Sequence, residues 1–165
     1  NITSFQSSFF PAPILDWKDV FYSLLHKFFR ALRSSYKEIK NVFAPLSDAY
    51  SKIQAASLEL KPIILYAGNA FESFLLQIAN DNQISLLGKN GIMQKSDALS
   101  SVLPKKHRGM IGYIGQVRNA ADHGTDPDED GKTWTVSEDT ALLYPILVTS
   151  IIKDIYFYQH GSIIV

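Results

Sequence analysis

An all-α bundle of four to six helices is the fold that this sequence predicts, and three observations predict it. Apolar residues recur at three- and four-residue steps over several long stretches, the period of a helix that buries one face. Prolines and glycines such as Pro62, Gly88, Gly91, Pro104 and Gly124 mark where those stretches begin and end. Cap residues such as Asp16 stand where the stretches begin. With 165 residues, of which 46% are hydrophobic and 19% charged, the chain has the material for one globular domain with its own core.

Residues 1–15, with Phe5, Phe9, Phe10, Pro11 and Pro13, lack helical periodicity and read as an aromatic arm that straps onto the domain. Residues 16–60 read as N-terminal helices. Asp16 caps a helix whose stripe is Val20, Phe21, Leu24, Leu25, Phe28, Phe29 and Leu32. Pro45 predicts a break near Phe43, followed by a less hydrophobic helix from Leu46 to Leu60. Residues 61–160 form the core region. Pro62 suits the first turn of a helix carrying Ile63, Ile64, Ala67, Ala70, Phe71, Phe74, Leu75 and Ile78 as far as Asn80. Gly88 and Gly91 mark a loop, and Ser96 is expected to cap a short helix ending at Leu103 before Pro104.

A further helix is predicted from Lys105 to His123. Its interior holds Gly109, Gly112 and Gly115, each about 1 kcal/mol worse than alanine in a helix. Such a strip lets another backbone approach, either within the bundle or at a dimer seam. An acidic loop, Thr125 to Lys132, lacks the ligand spacing of a calcium loop and reads as solvated. Thr135 and Glu138 form a capping box for the last helix, with Leu142, Leu143, Ile146, Leu147, Ile151, Ile155 and Tyr158 as its core face and a kink at Pro145. Because Pro145, Lys153 and Asp154 interrupt its apolar run, it reads as a buried helix and not as a membrane span.

Composition limits the function classes. Cysteine is absent, which removes disulfides, thiolate catalysis and zinc–sulfur sites and fits a cytoplasmic protein. The formal net charge is zero, which argues against a general nucleic-acid coat. The first residue is Asn1 rather than Met, and the chain is expected to be either a trimmed form or one domain of a longer protein. No nucleotide-binding, zinc-protease or nucleophile-elbow motif occurs, and no cofactor or metal is expected. His26 and His160 read as a packed residue and a terminal residue.

Chemistry is concentrated in Arg118-Asn119-Ala120-Ala121-Asp122-His123-Gly124. This stretch places a permanent cation, an amide and an imidazole within six residues. Imidazole is the side chain that ordinarily changes charge near neutral pH, and guanidinium matches the geometry of a phosphate. Gly124 ends the helix and leaves His123 in its last turn. Arg118 and Asp122 share a helix face and suit a surface ion pair, as the plain alternative. Five residues apart, Arg118 and His123 diverge by ~140° on a regular helix, so one helix does not aim both at one point. An Arg-Asn pair with a histidine at this one fixed gap arises by chance in ~1% of chains of this length.

The spacing R-N-x-x-x-H followed by glycine resembles the signature of the HEPN family, small helical domains that include metal-independent endoribonucleases. The likeness extends beyond the motif, over roughly Leu58 to Tyr158. Ala67 to Leu75, with Glu72 before an apolar pair, is similar to the family's first core helix, and Trp134 with the helix from Thr135 follows the motif as in that family. The C-terminal domain of abortive-infection proteins is closest in character. The resemblance implies a homodimer in which two motif helices meet near a two-fold axis and pool their side chains. It implies a prokaryotic defence or toxin–antitoxin role and RNA cleavage by the neighbouring 2′-hydroxyl. His123 would act as general acid or base, Arg118 would hold the phosphate, and Asn119 would orient His123 or bind phosphate. Asp122 and Glu72 are supporting candidates, and Lys105, Lys106 and Arg108 candidate RNA-backbone contacts. A catalytically silent HEPN-like dimerisation or partner-binding module is the alternative. Charge neutrality further predicts weak binding to generic RNA and control by an antitoxin, a regulatory protein or a fused domain that covers Arg118 and His123.

Overall fold

The structure, a computed structural model, describes residues 40–55, 57–124, 126–127 and 133–161. The N-terminal arm, the helix expected after Asp16 and most of the acidic loop lie outside the described residues. Five α-helices make up most of what is described: α1 (Lys40–Gln54), α2 (Leu60–Asp81), α3 (Gly91–Ala98), α4 (Arg108–His123) and α5 (Glu138–His160). Between α4 and α5 a minimal antiparallel ribbon pairs Asp126 with Trp134 and Pro127 with Thr133. The expected all-α architecture is present.

Helix α2 is central, and α1, α3, α4 and α5 all pack on it. Its predicted stripe is buried throughout, from Ile63 and Ile64 to Leu75 and Ile78. Pro62 lies in its first turn, where a missing amide leaves no intrahelical bond unmade. Ion pairs fix the directions of its neighbours. Lys61 at the start of α2 meets Asp122 at the end of α4, and Glu72 further along α2 meets Arg118 one turn earlier on α4, so the two helices run antiparallel.

Several boundaries differ from the sequence expectation, among them the end of α3, at Ala98 and not at Leu103, and the start of α4, at Arg108 after a 3-10 turn over Lys105–His107. Helix α1 passes through Pro45 without a break. Proline deprives the carbonyl four residues back of its partner, here that of Asn41, which is exposed to solvent in the first described turn. The stripe of Val42, Leu46, Ala49, Tyr50 and Ile53 then outweighs the lost bond. The same helix stops at Gln54 and not at Leu60, because Leu58 and Glu59 are exposed and form the reversal into α2. Helix α3 starts five residues before Ser96, at Gly91. Its N-terminal turn is closed by Gln94, whose Oε1 accepts from the Asn90 backbone N–H at 3.0 Å, while Ser96 bonds back to Met93 O inside the helix. Helix α5 is capped by Ser137 and not by Thr135; the Ser137 hydroxyl accepts from the Thr140 N–H at 3.2 Å.

The face of α5 also differs. Ala141, Tyr144, Pro145, Val148, Ile151, Ile152, Ile155 and Tyr156 are buried, whereas the expected core residues Leu143 and Tyr158 are 60% and 58% exposed. The helix is apolar on nearly every side, so hydrophobicity alone does not set its phase. By length and composition it is also long and apolar enough to cross a membrane. It continues through Pro145, and Tyr50 bonds Thr149 Oγ1 at 3.0 Å, tying α1 to α5.

The glycine strip on α4 divides. At Gly115 an added Cβ would stand 3.1 Å from Met93 Cγ, so α3 packs tightly there within the bundle. Gly112 has ordinary room beside Met93, and Gly109 faces open space.

Candidate functional site

Arg118 leaves α4 in the direction of α2 and lies across its backbone. The residue beneath is Gly68, where an added Cβ would fall 2.9 Å from Arg118 Cγ, 3.1 Å from Cδ and 3.3 Å from the Tyr144 hydroxyl. Absence of a side chain at Gly68 is therefore what admits the arginine stem. Beyond it, Arg118 Nε stands 3.0 Å from Glu72 Oε1. Both atoms are sealed from solvent and neither is aligned for a hydrogen bond, so the contact is an ion pair rather than a directed bond. The terminal Nη2 reaches Asn69 Oδ1, an exposed side chain, at 3.5 Å. Arg118 thus has its inner nitrogen anchored and its outer edge at the surface.

Lys95 of α3 pairs with the other oxygen of the same carboxylate, Glu72 Oε2. Side-chain exposure is 14% for Glu72, 13% for Lys95 and 22% for Arg118, so one carboxylate serves two cations in a largely desolvated place. Below them the Tyr144 hydroxyl donates to Ile114 O at 2.9 Å, binding α5 to α4 one turn before Arg118. Burial pushes the Tyr144 phenol far above its ordinary range, with Arg118 opposing the shift and Glu72 reinforcing it.

The remaining predicted residues are dispersed. Asp122 meets Lys61, whose ammonium also donates to the Asp122 carbonyl at 2.9 Å. The expected surface pair of Arg118 with Asp122 is accordingly replaced by Arg118 with Glu72 and Asp122 with Lys61. His123 is exposed in the last turn of α4, and Gly124 ends the helix with φ 84°, as its position after the motif predicts. Among the described residues His123 and Asn119 make no hydrogen bond or ion pair with each other or with Arg118. Lys105 and Lys106, in the 3-10 turn before α4, and Arg108, at its first residue, are exposed ~15 Å or more from His123 at the helical rise. Their neighbour His107 is turned inward, 3.6 Å from Asp154.

Compared with known families, curated proteins and solved structures, the chain matches none.

Two residues of the cluster were not singled out from sequence, and each carries a signal. Gly68 is a glycine within an otherwise regular apolar helix, a position that asks for a close approach. Lys95 sits three residues after Ile92 and four before Leu99, both buried, so a charged side chain occupies the inward stripe of α3.

Two expected outcomes follow from this packing. Gly68→Ala gains about 1 kcal/mol of helix propensity but pushes Arg118 off α2. The variant should keep its thermal midpoint within a few degrees yet lose activity attributable to Arg118 by about tenfold, which rate and melting measurements on one sample would separate. Tyr144 gives a pH signature. Its folded-state pKa is raised above the unfolded value of about 10, so its contribution is complete below that pH and declines as pH rises through it. Melting midpoints between about pH 8 and pH 11 should fall at the alkaline end, and Tyr144→Phe should flatten that fall while removing about 1 kcal/mol at neutral pH.

Proposed function

We propose that this chain is a HEPN-like, metal-independent endoribonuclease that works as a homodimer. The observation that carries the reading is Arg118, held at Nε by Glu72 with its outer guanidinium edge left at the surface beside Asn69. An arginine anchored in this way is preorganised for a phosphodiester, because its fork is already oriented before substrate arrives. His123 waits on the same helix, exposed and unpaired among the described residues.

The chemistry follows from those groups. One His123 accepts the proton of a ribose 2′-hydroxyl as its oxygen attacks the adjacent phosphorus. Arg118 stabilises the negative charge that builds on the phosphorane oxygens. The P–O5′ bond breaks, the departing oxygen takes a proton from water, and His123 returns the proton it accepted to solvent. Asn119, one turn before His123 on the same helix face and half-buried, steadies that ring or the phosphate. The products are a 2′,3′-cyclic phosphate and a 5′-hydroxyl. Since Arg118 points inward and His123 outward on one chain, convergence requires a second copy.

The test is cleavage of a defined RNA by the purified protein in EDTA with analysis of both ends. Cyclic phosphate and 5′-hydroxyl ends are expected; a requirement for Mg²⁺ or the appearance of 5′-phosphate ends would overturn the mechanism. One observation favours a second reading, a silent partner-binding module. Met110 and Tyr113, 40% and 45% exposed, flank the open Gly109 on the α4 surface, as an interaction face would require. A dimer without RNA cleavage would select it.

A further inference from the structure

A carboxylate beside a guanidinium favours the two-point fork, in which both oxygens accept from Nε and Nη together. Glu72 and Arg118 do not adopt it. Arg118 Nε faces Oε1 alone, at 3.0 Å, and Nη2 turns instead toward Asn69. The reason stands on α3, where Lys95 occupies Oε2. Lys95 has only 13% of its side chain exposed, and a lysine is seldom this buried unless paired. It comes from a helix separate from those bearing Glu72 and Arg118, so its approach to the carboxylate is set independently by the packing of Ile92 and Leu99.

We propose that Lys95 is a positioning residue: by taking one oxygen of Glu72 it restricts Arg118 to the other and so keeps the outer guanidinium edge free for an RNA phosphate. This rests on the ribonuclease reading for its ligand, while the geometry it describes exists without RNA. Charge reinforces the geometry. With Lys95 present, one carboxylate faces two cations and the cluster keeps a positive excess; without it, Glu72 and Arg118 neutralise each other. In the absence of Lys95, Glu72 closes both oxygens on Arg118, draws it inward and cancels the charge a phosphodiester would meet.

The experiment compares wild type, Lys95→Met and Lys95→Arg. Met keeps the length and apolar stem that dock α3, and Arg restores the charge. Two readouts are taken: the Arg118–Glu72 contact by crystallography, and affinity for a short RNA whose scissile ribose is 2′-deoxy and cannot be cleaved. Lys95→Met should show both Glu72 oxygens on Arg118 and about tenfold weaker RNA binding, and Lys95→Arg should return affinity to within about twofold of wild type. A side chain that merely docks α3 would leave the Arg118 contact single and the affinity unchanged in Lys95→Met, which would overturn the proposal. If Lys95→Met does not fold, Lys95→Leu gives the same comparison with another apolar side chain that leaves Glu72 Oε2 free. Failure of wild type itself to bind or cleave RNA would remove the ribonuclease reading, and the one-oxygen to two-oxygen change would still decide the role of Lys95.

Discussion

Alanine in place of His123 is expected to lower RNA cleavage by about 10³-fold or more while leaving the bundle as stable as before. General acid–base catalysis by a positioned side chain contributes 10²–10⁴-fold in round terms. His123 is exposed and has no hydrogen-bond or ion-pair partner among the described residues, so little structure depends on it. Arg118→Ala should reduce cleavage to a similar degree, since it removes the charge that meets the phosphorane. Glu72 would then still have Lys95, and the fold should persist with a lowered melting midpoint. Initial rates on a defined RNA in EDTA, together with circular dichroism of each variant, check both expectations. Wild-type rates in either folded variant would remove that residue from the mechanism.

Glu72→Gln is the substitution expected to damage the protein most broadly. It leaves Lys95 and Arg118 facing one another in a largely desolvated place without the carboxylate that separates them. Breaking a buried pair from one side costs 3–5 kcal/mol in fully buried sites, and the partial solvation here places the loss at about 3 kcal/mol. Activity should fall with it, because Arg118 loses its anchor. Denaturant unfolding of the variant gives the stability figure directly. A loss below about 1 kcal/mol would mean that the cluster is as weakly coupled as an exposed ion pair.

Much of this arrangement is legible in the sequence, for identifiable reasons. Helix α2 is clear because its stripe contrasts with polar residues on its other side, and the end of α4 because Gly124 is placed where only a left-handed residue closes a helix. Glu72 is legible only as a supporting candidate beside the motif; that it pairs with Arg118, where Asp122 was the expected partner, depends on how α2 packs on α4. The face of α5 was not legible, because a helix apolar all round gives periodicity no contrast to use. The start of α3 is hidden because Ser96 looks like a cap, whereas Gln94 closes the turn at Asn90 by a side-chain bond that composition does not reveal. Lys95 and Gly68 are hard to read from sequence for a related reason. Their roles depend on which helices meet, and that is a property of tertiary packing rather than of spacing along one helix.

The central claim is that Arg118 and His123, directed apart on one chain, act together across a dimer. Mixing two inactive variants, Arg118→Ala and His123→Ala, tests it most directly. On statistical exchange about half of the dimers carry one of each chain, and such a dimer holds one intact Arg118 and one intact His123 on opposite subunits. The account predicts that RNA cleavage in EDTA, absent from each variant alone, reappears after the two are unfolded and refolded together. A mixture that forms dimers and remains inactive would contradict it.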